Sequence, residues 1–193
     1  ECQVDRKVVE DYLSVLEDLL ISFTLPVFSK RAKRKLVKHR KFYFFDCGVF
    51  RAIRPKAPLD SPSEEEGPAL EGLVVQEIRA LNSYLELDYE LFFWRTLQQK
   101  LEVDLVCYGP KGLLAFEVKT SSRIRPEDLA GLIAFQEDYP AAQAFLIHGG
   151  TRTYEDSGIT VIAVHDFFSR IQTILGADTH GPLADRKGRA RKS

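Results

Sequence analysis

The sequence predicts an α/β domain whose elements run αβββαβ and then βα, reached only after a helix and two β-rich runs. Three observations carry this expectation. An amphipathic stretch opens at Pro68, two alternating runs flank the turn Gly109-Pro110-Lys111-Gly112, and an apolar helix from Pro126 leads into a short β run at Gln143. With 193 residues, 45% hydrophobic and 28% charged, the chain has material for one comfortable domain or two small ones. No window approaches the ~18 uninterrupted apolar residues of a membrane span, so no membrane partner is expected. The three cysteines, Cys2, Cys47 and Cys107, have no C-x-x-C spacing, which argues against a disulfide framework or a sulfur-rich zinc site. A reducing, cytoplasmic setting is the expectation. The chain lacks methionine and opens on Glu1, and it reads as a piece of something longer.

From Val4 to Leu20 the residues Val8, Val9, Tyr12, Leu13, Leu16, Leu19 and Leu20 recur at three and four, the spacing of a helix with one buried face. Glu10, Asp11, Glu17 and Asp18 on its outer side make it a poor fit to a DNA groove, so a packing helix is expected. Ile21 to Phe28 and Lys41 to Ile53 read as β-rich runs, and helix plus strand pair resembles a truncated winged-helix segment over 1–54. Pro55 to Gly67 has no periodicity and is expected to be a linker at a domain boundary. The second unit, 68–178, should hold a helix from Pro68 to about Leu87. Strands are expected at Tyr89–Thr96, Leu101–Tyr108 and Leu113–Thr120, a helix at Pro126–Tyr139, strands at Gln143–His148 and Ile159–Val164, and a closing helix at Asp166–Leu175. Residues 179–193 are polar and basic and are expected to form a disordered tail.

The net charge of -1 hides a strong segregation. Residues 1–29 carry -4, 30–56 carry +10, 57–180 carry -11 and 181–193 carry +4. A polyanion would be drawn to the 30–56 segment and repelled by the large acidic block unless cations intervene. Lys33, Arg34 and Lys35, inside the basic run, are candidates for nucleic-acid phosphates; a solvated hairpin explains them equally well.

The two runs around the Gly109–Gly112 turn decide the chemistry. If those four residues form the loop, Tyr108 faces Leu113, Asp104 lies across from Glu117, and Glu102 across from Lys119, all on one face. Val103, Leu105, Cys107, Leu114, Phe116 and Val118 would then form the apolar face. Adjacent carboxylates repel, a penalty that makes sense if a divalent cation sits between them. A third acid is expected from the helix, where Leu70, Leu73, Val74, Leu81 and Leu85 form a stripe with Glu77 in its middle; Glu71 suits the helix dipole in the first turn. Gln136 is a weaker candidate for the outer shell, and a solvated position accounts for it. Trp94 and Arg95 are expected to pack, and the four histidines have no ligand-like spacing.

A helix acid, Asp104 and Glu117-Val118-Lys119 in an αβββαβ frame resemble the PD-(D/E)xK nuclease-like, or restriction-endonuclease-like, fold. More closely, residues 8–148 resemble the C-terminal domain of bacterial and archaeal AAA-type ATPases that carry an uncharacterised module of this kind. The matching pieces are Tyr12-Leu13, Leu16-Glu17-Asp18, Lys41 to Gly48, Leu70-Glu71-Gly72, Val75-Gln76-Glu77, Phe93-Trp94-Arg95, Glu102-Val103-Asp104 and Glu117-Val118-Lys119. Relatives place a glycine near the strand start where this chain has Gln98-Gln99-Lys100-Leu101. The resemblance implies an N-terminal ATPase domain, yet no G-x-x-x-x-G-K-[ST] occurs here, so ATP hydrolysis is not assigned to this chain. It further implies that Asp104, Glu117 and the Val118 carbonyl bind Mg2+ or Mn2+, that Glu77 contributes directly or through water, and that Lys119 orients or deprotonates the attacking water. The expected function is a metal-dependent nuclease-like domain acting on nucleic acid. The alternative is an inactive nuclease-fold interaction module that links an ATPase to a DNA or protein partner.

Overall fold

The computed structural model describes residues 5–53 and 62–177. The tail expected at 179–193 and most of the expected linker lie outside the described residues. The elements in chain order are α1 (Arg6–Asp18), β1 (Ser22–Leu25), β2 (Lys41–Phe44), α2 (Cys47–Ile53), α3 (Pro62–Tyr84), β3 (Glu90–Arg95), β4 (Glu102–Gly109), β5 (Gly112–Lys119), α4 (Pro126–Asp138), β6 (Gln143–His148), β7 (Tyr154–Asp156), β8 (Ile159–Ala163) and α5 (Val164–Ile174). A mixed six-stranded sheet has the order β3-β4-β5-β6-β8-β7, with β5, β6 and β8 parallel and the other neighbours antiparallel.

Successive residues of β5 divide between two cores, as a strand's period of two requires. Leu114, Phe116 and Val118 pack with Val74, Val75 and Ile78 of α3 and with Phe167 and Ile171 of α5. Ala115 packs on the opposite face with Leu129, Leu132 and Phe135 of α4. The sheet is therefore the middle of three layers, and the carboxyl ends of β5 and β6 open between the helices.

Helix α3 begins at Pro62, so the 62–67 part of the expected linker is helical and Pro68 lies inside the helix rather than at its start. The second β-rich run also ends early: β2 stops at Phe44, and the Asp46 carboxylate accepts the Gly48 and Val49 amides at 2.7 and 3.0 Å, turning the chain into α2. β7 is a short edge strand that sequence reading passed over.

The segment expected as a separate unit shares its core with the rest. β1 and β2 form an antiparallel pair from Ser22↔Phe44 to Leu25↔Lys41. Phe23, Leu25 and Tyr43 join the α3-side core, while Phe28 reaches the α4-side core. Between them the chain follows the free edge of β3: Phe28 N–H donates to Phe93 C=O at 2.7 Å, Phe93 N–H to Pro26 C=O at 3.0 Å, and Leu97 N–H to Lys35 C=O at 2.8 Å. An edge strand left bare would invite pairing with another chain, and this segment covers it. α1 forms, with Asp5 accepting the Lys7 amide, but it is not the packing helix expected, since Val8, Val9, Tyr12, Val15 and Leu19 are exposed.

Candidate active site

The β4–β5 hairpin has the expected register through Tyr108↔Leu113, continuing from Gly109↔Gly112 to Leu105↔Phe116. One pair beyond, the ladder changes. Against β3 the pairing steps from Phe92↔Val106 to Trp94↔Val103, three residues on β4 for two on β3, so an extra residue of β4 sits at Asp104–Leu105. Such a bulge re-aims side chains. As a result Val103 packs with Val106 on the α4 side and not, as expected, with Leu105 and Cys107. The bend before it is made without a glycine: Lys100 takes φ 54 in the left-handed region.

Asp104 and Glu117 are buried and line one cleft of about 380 Å3 together with Lys119, Lys41, Glu71 and Glu102. Asp104 accepts the Val118 amide on Oδ2 at 3.0 Å, which ties the two site strands together through a side chain. Glu117 Oε1 accepts from Lys119 Nζ at 2.7 Å. Glu117 Oε2 is buried and has no hydrogen-bond partner. Burial and the neighbouring Asp104 charge push the Glu117 carboxyl well above the usual carboxylate range, with Lys119 opposing them. Burial disfavours the Lys119 ammonium, but Glu117, Asp104 and Asp128 together outweigh it and hold the Lys119 pKa above its ordinary value.

The third acid is Glu71, not Glu77. Of the α3 residues around them, Val74, Val75 and Ile78 are fully buried while Leu73 is exposed, so the buried arc is centred where Glu71 projects and Glu77 lies about 120° away. Counting Leu73 as core is what displaced the expected phase. Glu77 is half-buried and is not among the residues that line the cleft.

Two residues from the first β-pair complete the site, and sequence reasoning gave neither a role there. Lys41 Nζ donates to Glu102 Oε1 at 2.7 Å and Asp104 Oδ1 at 2.8 Å, and stands 2.8 Å from Glu71 Oε1. Tyr43, two residues along the same strand, donates its hydroxyl to Glu71 Oε1 at 2.6 Å. Alternation along a strand puts Lys41 and Tyr43 on one face, and that was the signal available. Burial opposes the Lys41 charge, but Asp104, Tyr43, Glu71 and Glu102 outweigh it and raise its pKa. Burial, then Asp104, raise the Glu71 carboxyl, against Lys41 and Tyr43. Among the described residues no three His, Cys, Asp or Glu side chains are gathered as a ready metal cage; an ammonium stands between three of the carboxylates.

A family model described as a domain of unknown function (DUF4143) matches residues 66–167, over half the chain and every strand and helix that carries an acid of this cleft. The chain belongs to the DUF4143 family. That family is known as a C-terminal domain of ATPase-associated proteins. A second model, also a domain of unknown function (DUF8612), matches residues 1–60. No curated protein matches the chain. The cleft is thus composite: its acids and Lys119 lie in the DUF4143 match, whereas Lys41 and Tyr43 come from the DUF8612 match.

Lys33, Arg34 and Lys35, the nucleic-acid candidates, are engaged unequally. Arg34 Nε donates to the buried Asp138 at 3.1 and 3.2 Å and Nη2 to Glu137 at 2.6 Å, and Lys33 Nζ donates to the Glu137 carbonyl at 3.1 Å. Both hold the C-terminus of α4, where cations complement the helix dipole. Only Lys35 of the three projects from the surface without such a bond. Gln136 donates to Ala142 C=O at 3.1 Å, away from the cleft, and Trp94 is fully buried.

Proposed function

We propose that the DUF4143 part of this chain is a PD-(D/E)xK nuclease-like module with a restriction-endonuclease-like core, which hydrolyses phosphodiester bonds of nucleic acid with Mg2+ or Mn2+ in association with an ATPase. The observation that carries the reading is the buried Glu117 Oε2, which has no hydrogen-bond partner, on a carboxyl that also feels the Asp104 charge. A buried acceptor without a partner costs ~1–3 kcal/mol, more when charged, and a hard cation satisfies oxygen ligands of this kind. Asp104, Glu117 and the Val118 carbonyl would hold the ion, with Glu71 behind Asp104. When bound, it supplies Lewis-acid polarisation of a phosphate oxygen and lowers the pKa of a water.

The chain's own residues do the rest. Lys119 stays an ammonium at neutral pH because Glu117 favours its charged form, so it steadies charge on the phosphate instead of taking a proton from water. Tyr43 and Lys41 fix Glu71, and the Val118 amide fixes Asp104, so the acids meet the substrate already placed.

One observation favours the second reading, a nuclease-fold interaction module. Lys41 neutralises part of the acid cluster from within, as a structural ion network would. Calorimetric titration with Mn2+, alongside cleavage of single- and double-stranded DNA and RNA, separates the two. The nuclease reading expects the wild type to bind Mn2+ and cleave, and Asp104→Asn to do neither. Absence of Mn2+ binding by the wild type refutes it.

A further inference from the structure

Hydrolases that bind two divalent ions place them as a pair among shared carboxylates. In this cleft one side of Asp104 is already occupied by a cation that belongs to the chain. The three N–H donors of Lys41 have three carboxylate oxygens within 2.7–2.8 Å, one each from Glu71, Glu102 and Asp104, so the ammonium has its full complement of partners. Its placement is enforced from behind. Lys41 pairs with Leu25 in the first β-pair, Leu25 is in the core, and Tyr43 grips the same Glu71 oxygen that Lys41 approaches.

Glu117 Oε2 lies outside this arrangement. Among the described residues it is the buried side-chain atom of the cleft without a hydrogen-bond partner, on a residue only 7% exposed, and it is bonded to neither lysine. Both Asp104 oxygens are already held, Oδ1 by the Lys41 ammonium and Oδ2 by the Val118 amide, whereas Glu117 Oε2 is bare.

Resting on the nuclease reading above, we propose that Lys41 is the second cation of this site, a positioning residue that stands where a second divalent ion would be held, so that the cleft takes one metal ion between Asp104 and Glu117. The site is then complete only when the 1–60 segment is docked on the 66–167 domain, since the first supplies the Lys41 ammonium and the second the carboxylates around it and around the metal ion.

The test is Mn2+ titration by calorimetry on the full chain, with thermal unfolding read in chelator and in Mn2+. The wild type and Lys41→Arg bind one equivalent. Lys41→Gln binds two, unfolds at lower temperature than the wild type in chelator, and gains more from Mn2+ than the wild type does. One equivalent in both wild type and Lys41→Gln, with equal thermal gain, overturns the inference while leaving the nuclease reading intact; two equivalents in the wild type overturn it as well. No binding by the wild type refutes the nuclease reading itself, and this inference with it. If Lys41→Gln does not fold in chelator, recovery of its helical circular dichroism on adding Mn2+, and not on adding NaCl of equal ionic strength, supports the replacement of ammonium by metal. Failure to recover overturns it.

Discussion

Replacing Glu117 by glutamine should make the metal-free protein more stable at neutral pH, the opposite of what loss of a buried, ion-paired side chain ordinarily does. Glu117 is 7% exposed, sits beside Asp104, and leaves Oε2 without a donor. Removing the charge relieves the unmet desolvation of that oxygen, ~1–3 kcal/mol, and offers Asp104 an amide in place of a like charge. Against this stands the lost pair with Lys119, about a third exposed and worth at most ~1 kcal/mol. The balance is a gain of about 1–2 kcal/mol, or roughly 2–8 °C in unfolding temperature for a chain of this size.

The pH dependence has a definite sign. An unfolded glutamate titrates near ~4.3, whereas folded Glu117 titrates well above, raised by burial and Asp104. Between those values the folded state binds more protons than the unfolded, so stability falls as pH rises through the window and is flat on either side of it. Glu71, also raised, adds a contribution of the same sign. Differential scanning calorimetry in chelator from pH 5 to 8 should show wild-type stability declining with pH, and a shallower decline for Glu117→Gln. A variant less stable than the wild type at pH 8, with an unchanged slope, would refute the assignment of Glu117 as a strained, uncompensated acid.

Two further outcomes are expected. Gly131→Ala should cost about 3 kcal/mol or more, because its Cβ would stand 2.0 Å from the Glu102 carbonyl oxygen and backbone against backbone cannot yield without lifting α4 from β4; urea unfolding measures it, and a loss below ~1 kcal/mol contradicts the close approach. Arg34→Ala should destabilise by ~3 kcal/mol, since it strands the buried Asp138 carboxylate, whereas Lys35→Ala should stay within ~0.5 kcal/mol and, if nucleic acid binds, lessen the salt dependence of binding; equal stability of the two variants would deny Arg34 its strut role.

The hairpin was legible because its information is local. Two alternating runs and a glycine-bounded turn set the register, and the observed ladder keeps Tyr108↔Leu113. Strands β6 and β8, and helix α4 with its Pro126 start, were legible for the same reason. The expected boundary at 55–67 contains the point where the two family matches meet, between residues 60 and 66, but composition reports local polarity and not which cores are shared. Proline, serine and glutamate suggested a linker, while Phe23, Leu25 and Tyr43 on one side of it pack against Val74 and Ile78 on the other. α2 was hidden by its β-forming composition, which the single capping carboxylate of Asp46 overrides.

The hairpin residues of the site were legible, whereas Glu71, Lys41 and Tyr43 were not, and the reason is physical. Asp104, Glu117 and Lys119 are paired by one hairpin, so their proximity follows from sequence spacing. Glu71 needed only the correct helical phase, which Val74, Val75 and Ile78 would have fixed had Leu73 been left on the surface. Lys41 is 63 residues from Asp104 and reaches it through a strand pair that lies outside the main sheet. Within a run of basic residues nothing marks it as different from Lys35, except that Lys41 alternates with Tyr43 on a strand and Lys35 sits on the chain that covers β3. A charge count treats such a segment as one field directed outward at a polyanion. The fold instead spends Arg34 on α4 and Lys41 on the acids, turning part of that field inward, and it is the inward part that makes a cluster of four carboxylates compatible with a folded chain.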